Sequence, residues 1–124
     1  MENARETVRR RSPRLPIRLE GSLAGRAVRG ITLVDLSLSG CLVRCQLLLD
    51  PGAILDLSLE LEDGPLAAKV RVTESSLDGA SFPAEAPRYF AGLEFLGLPV
   101  KDAERLRRLI EEAKRKRSAD APAL

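Results

Sequence analysis

The stretch AILDLSLELEDGPLAAKVRVT, residues 53–73, decides the fold class. Leu55, Leu57, Leu59 and Leu61 alternate with Asp56, Ser58, Glu60 and Glu62. Successive side chains of an extended chain point to opposite faces. A strict period of two therefore buries the leucines on one face and leaves the polar groups in water. Glu62-Asp63-Gly64-Pro65 reads as a turn. Beyond it Leu66, Ala68, Val70 and Val72 resume the alternation against Lys69, Arg71 and Thr73, so the two runs form a β-hairpin.

Working outward, strands are expected at Ile17–Leu23 and Arg26–Leu36, at Cys41–Leu49 closed by Asp50-Pro51-Gly52, and, after a loop over Asp78–Pro87, at Tyr89–Leu96. Six short antiparallel strands at this spacing predict a closed barrel or a sandwich. Closure would also hide the unpaired edges of such leucine-rich strands. Over 102–117 the period changes: Ala103, Leu106, Leu109, Ile110 and Ala113 fall on one helical face. Asp102 is expected to cap this helix, and the run Lys114–Arg117 suits the negative end of its dipole. Residues 1–14 are polar and Arg-rich, with Pro13 and Pro16 opposing a long helix. They are expected to form a flexible arm, followed by a barrel over 15–98, a helix over 99–117 and a disordered tail over 118–124.

A chain of 124 residues suits a single core, which must be built from Leu, Val, Ile and Ala because aromatics are only 3%. No apolar run approaches the roughly 20 residues that span a bilayer, and the N-terminus shows no apolar signal region. The expected location is the cytoplasm. Net charge is +2, unevenly placed: +4 over residues 1–18, −5 over 19–100, +4 over 101–117 and −1 at Asp120. An anionic ligand would be drawn to the basic ends. There is no His, which removes the usual general base and the usual metal ligand. Cys41 and Cys45, four apart in a strand, are separated by roughly 13 Å. That is too far for a disulfide, and the pair makes a poor zinc site. Both are expected to be small buried residues.

Two short stretches carry chemistry. Arg10 and Arg14 form Arg-x-x-x-Arg just before the first strand, with Arg9 and Arg11 beside them. Asp35-Leu36-Ser37-Leu38-Ser39-Gly40 is Asp-x-Ser-x-x-Gly where a strand ends in a turn. Separately, the first can be a solvated arm. The second can be turn chemistry, Asp and Ser bonding nearby amides while Gly supplies a positive φ. In this order and in an all-β context, the pair resembles the two-part signature of PilZ domains. Ala91-Gly92-Leu93-Glu94-Phe95 is similar to the Gly-x-x-Phe of that family's last barrel strand.

The resemblance implies a six-stranded antiparallel β-barrel with an Arg-rich arm and one C-terminal α-helix. It implies a receptor for cyclic di-GMP, a ligand with two phosphates and two guanines. The implied ligand-binding residues are Arg9, Arg10, Arg14, Asp35, Ser37 and Gly40. Guanidinium groups pair bidentately with phosphate oxygens, bond the O6/N7 edge of guanine and stack on purines. A carboxylate such as Asp35 can accept from the N1–H and N2–H₂ edge of guanine. Ser37 offers a hydroxyl to base or phosphate, and Gly40 lets the backbone turn close to the ligand. An Arg at position 9, before the motif, is compatible with a stacked pair of ligands. The resemblance further implies an effector protein under control, with motility, pilus or exopolysaccharide output, and it allows a homodimer. No enzyme activity, metal, further cofactor or DNA/RNA partner is expected. The alternatives are a PilZ-like interaction module that binds no nucleotide, and a small nucleic-acid-binding barrel. The acidic body and the lack of exposed aromatic platforms oppose the latter.

Overall fold

The computed structural model describes residues 15–25, 28–78 and 88–120. Six strands form one antiparallel sheet that closes on itself: β1 (Leu15–Ala24), β2 (Val28–Leu36), β3 (Gly40–Cys45), β4 (Ile54–Leu61), β5 (Gly64–Leu77) and β6 (Tyr89–Leu96). The order around the ring is β1-β2-β3-β6-β5-β4, closed by pairing of β1 with β4. One helix, α1 (Val100–Asp120), follows.

The hairpin that decided the fold class is β4–β5. Leu57 and Leu59 point into the barrel at 1% and 0% exposure, flanked by half-buried Leu55 and Leu61. Leu66, Val70 and Val72 meet them from β5. Gly64 holds φ +119° directly after the Glu62-Asp63 turn, a conformation that L side chains rarely adopt. Pro51 and Gly52 (φ +91°) make the tighter turn before β4, closed by the Ala53 N–H donating to Asp50 O at 3.0 Å. Proline followed by a positive-φ glycine is the type II pattern. Cys41 and Cys45 are free thiols buried in the core, and burial pushes the Cys45 thiol pKa up, partly offset by hydrogen bonding with the Leu47 backbone.

Several boundaries differ from expectation. Strand β3 stops at Cys45 and not at Leu49, because Leu47-Leu48-Leu49 carries no alternation. Instead, Cys45 Sγ donates to Leu47 O at 3.1 Å and the Leu49 N–H donates to Ser75 Oγ at 3.0 Å. Strand β5 runs on to Leu77, through a bulge between Val72 and Glu74 that keeps it paired with β6. The helix runs from Val100 to Asp120, three residues past the expected end at 117, and Asp102 does not cap it. The Ala103 N–H donates to Pro99 O at 2.9 Å, which puts Asp102 inside the first turn. There its charge still favours the helix dipole, and it pairs with Arg105 at 3.4 Å.

Leu106 and Ile110 bury the inner face of α1 against the barrel. Arg105 fixes its position at the end where β4 turns into β5. Its guanidinium donates to both carboxylate oxygens of Asp63 (2.8 and 3.2 Å), to Gly64 O (2.7 Å) and to Pro65 O (3.1 Å). The hydrogen bonds from Arg105 hold the Asp63 carboxyl below the ordinary aspartate value of 3.8.

Candidate functional site

The Asp-x-Ser-x-x-Gly stretch lies at the end of β2 and in the turn to β3. Ile31 and Leu33 point inward, so a period of two would aim Asp35 into the core as well. It does not, because Val34 is an extra residue against β3, between the Leu33↔Val43 and Asp35↔Leu42 pairs; the pairing with β1 is irregular at the same level, where Ile17 and Arg18 lie between the Pro16↔Asp35 and Leu19↔Leu33 pairs. This bulge shifts the alternation by one residue. Leu36, fully buried, takes the inward position opposite Leu15 and Cys41, and Asp35 turns to the outer wall. Its cross-strand partners are exposed Pro16 and half-buried Leu42. The Asp35 side chain is half-buried there, with Oδ1 shielded from solvent.

Ser37 is 1% exposed, and its hydroxyl is used within the turn. Oγ accepts the N–H groups of Ser39 and Gly40 at 3.2 Å each and donates to Gly40 O at 3.2 Å. The Ser37 N–H adds a 2.9 Å bond to the same carbonyl. Ser39 Oγ lies 3.1 Å away, and Ser39 O accepts the N–H of Phe95, which ties the turn to β6.

Gly40 corrects an expectation. The glycines with positive φ among the described residues are Gly52, Gly64 and Gly97, not Gly40. Glycine is needed at position 40 because β3 and β6 approach closely. A Cβ there would stand 2.1 Å from Leu93 O.

Arg9, Arg10 and Arg14 lie outside the described residues. The chain that follows them enters the sheet beside the site: Leu15 pairs with Leu36, and Pro16 with Asp35.

Alternation alone did not single out the neighbouring arginines. A groove of about 470 Å³ on the outer wall is lined by Arg18, Arg44 and Arg88 together with Glu20 and Thr32. Arg44 stands two residues along β3 from Leu42, the partner of Asp35. It is held over the Phe90 ring at 5.1 Å and lies 3.4 Å from Asp78 Oδ2. Its place between buried Val43 and Cys45 was the available signal, since that parity points it outward. Among the described residues there is no cluster of three or more His, Cys, Asp or Glu able to hold a metal, and no helix long and apolar enough to cross a membrane.

The closed antiparallel barrel thus carries a carboxylate and several arginines on its outer wall. The family model for the PilZ domain matches residues 4–112, and the chain belongs to that family. Among solved structures it resembles the PilZ domain with c-di-GMP of YcgR from Escherichia coli. The TM-score is 0.74 at 16% identity, over 90% of this chain and 96% of that one. The inhibitor of motility MotI/DgrA of Bacillus subtilis gives 0.72 at 16% identity, over 90% and 52%. The MrkH–c-di-GMP complex of K. pneumonia gives 0.66 at 23%, over 86% and 54%. The chain thus spans about half the length of the latter two. At these identities the likeness speaks to fold. No curated protein matched by sequence.

Proposed function

We propose that this chain is a cyclic di-GMP receptor that acts through a ligand-dependent surface and carries out no chemistry of its own. The observation that carries the reading is the bulge at Val34. It brings the Asp35 carboxylate out of the core to stand beside Pro16, two residues after Arg14. Chain connectivity keeps consecutive Cα atoms about 3.8 Å apart, so Arg14 can be no more than about 8 Å from Pro16 and Arg10 no more than about 23 Å, within reach of Asp35. Arginines for phosphate and guanine, and a carboxylate for the N1–H/N2–H₂ edge, are then available together. Ser37 and Gly40 serve this site by shaping the turn. The c-di-GMP complexes of YcgR and MrkH, which share the fold, support the choice of ligand. The effector and its output, whether motility, pilus or exopolysaccharide, would be set by the surface formed around bound nucleotide, in the bacterial cytoplasm.

The test is calorimetric titration with cyclic di-GMP, with GTP and cyclic di-AMP as controls. Selective binding at micromolar affinity or better is expected. Arg10→Ala or Arg14→Ala should each cost about 2–4 kcal/mol of binding without loss of fold. Asp35→Ala should weaken cyclic di-GMP and narrow its advantage over cyclic di-AMP. Unchanged affinity in all three variants would remove the assignment.

A further inference from the structure

The barrel end away from α1 carries a second concavity. Strand β4 runs from Ile54 there to Leu61 at the helix end, so Leu55 marks the far rim. A groove of about 360 Å³ is lined by Leu23, Leu47, Leu49 and Leu55, with Arg29 at its edge. It is continuous with the arginine groove, for Gly30, Ile31, Cys45 and Gln46 line both. Leu47 is 41% exposed and neighbouring Leu48 is 61% exposed. Apolar surface gathered in a concavity marks an interaction site more often than scattered exposed leucines do.

The charge beside it is the second observation. Residues 19–100 hold eleven acidic and only six basic residues. Three of those six, Arg29, Arg44 and Arg88, line the joined grooves, and Arg18 adds a fourth cation; Glu20 lines the groove with them and Asp78 pairs with Arg44. The acidic barrel concentrates its positive charge at the lip of its apolar cleft.

We propose that the joined groove docks an acidic amphipathic helix of a partner protein. Leucine-type side chains seat among Leu23, Leu47, Leu49 and Leu55, and carboxylates lie over Arg29 and Arg18. The concave shape fits side chains carried on a segment better than it fits a flat lipid surface. The strand ring is closed by the pairing of β1 with β4, and the side chains that line the groove carry the recognition. Gly30 and Asp35 are five residues apart on β2, roughly 15 Å, so the apolar end of the groove lies away from the nucleotide site while its arginine end, at Arg18 and Arg44, adjoins it.

Gly30 supplies the test. A Cβ there meets nothing within 4 Å, and its φ is not positive, so a side chain can enter the groove without disturbing the barrel. The full chain is titrated by fluorescence anisotropy with a labelled 14-residue helical peptide bearing Leu on one face and Glu on the flanks. A twin in which every Glu is Lys serves as control. The acidic peptide is expected to bind at least tenfold tighter than its twin. Gly30→Glu should weaken it at least tenfold and Gly30→Ala less than twofold, with the melting temperature of both variants unchanged. Absence of saturable binding, equal binding of the twins, or indifference to Gly30→Glu each overturns the proposal. So does a wild-type dimer that Gly30→Glu dissolves, which would assign the groove to a second copy. Binding to phosphatidylglycerol vesicles without binding of the acidic peptide would overturn it in favour of a lipid surface.

Discussion

Gly40→Ala separates a glycine needed for packing from one needed to admit a ligand. The added Cβ would stand 2.1 Å from Leu93 O, 3.2 Å from Leu93 C and 3.3 Å from Glu94 Cα, where ordinary contact begins at 3.4 Å. The obstacle is backbone, so no side-chain rotation relieves it. The strands must part by about 1 Å, enough to take N–H···O bonds out of their 2.7–3.2 Å range. At risk are the ladder around Gly40↔Glu94 and Cys41↔Leu93 and the Phe95 N–H bond to Ser39 O. Losing about two such bonds costs roughly 2 kcal/mol, and overpacking adds about 1–3 kcal/mol. The sum, about 3–5 kcal/mol, lowers Tm by roughly 10–20 °C in a domain of this size. Circular dichroism melts and urea titrations measure it directly. Gly30→Ala, with open space at its Cβ, is the control and should stay within about 1 kcal/mol of the wild type. A Gly40→Ala protein melting within about 2 °C of wild type would refute the packing argument.

Ser37→Ala leaves the N–H groups of Ser39 and Gly40 without their side-chain acceptor and should destabilise the fold by about 1–3 kcal/mol in urea titration. If cyclic di-GMP affinity drops with no loss of stability, the hydroxyl touches the ligand and does not merely hold the turn. Leu106→Ala empties a fully buried position under α1, at a cost of about 2–5 kcal/mol, and hydrogen exchange should show the helix deprotected before the barrel. The Asp63 pKa is depressed in the folded state, so its pairing with Arg105 contributes fully above the ordinary value of 3.8 and is lost as pH falls through the lower folded value. The stability gap between wild type and Asp63→Asn should therefore close on acidification below about pH 4, as followed by urea titration at a series of pH values. A gap independent of pH would count against the ion pair.

All six strands were legible because burial on one face imposes a period of two, and α1 because its apolar residues follow a period near 3.6. Places where that logic fails are local breaks in period. Leu47-Leu48-Leu49 has no alternation, and composition alone made it look like strand. The bulge at Val34 was visible only as a three-residue step from Leu33 to Leu36, although that step is what turns Asp35 outward. The role of Gly40 depends on Leu93, more than fifty residues away, and no local pattern encodes that contact. Nor could the seat of Arg105 on the β4–β5 turn be read from helical periodicity. The signature stretches themselves were plain in the sequence, whereas the cationic groove beside them needed the strand register to assemble Arg18, Arg44 and Arg88.

The pairing of β3 with β6 has a consequence for how the protein is made. Strands β1 to β3 can pair as a meander and β4 with β5 as a hairpin, each from neighbouring sequence. Only β6 joins the two groups on that side, and the turn at Ser39 receives its bond from Phe95. Loop-closure entropy delays such distant contacts. On a ribosome, the stretch Asp35–Gly40 emerges early but cannot complete its turn until residue 95 has left the exit tunnel. Newly made chains would then tie this turn to the barrel only after β6 has emerged, when the barrel is ready to close.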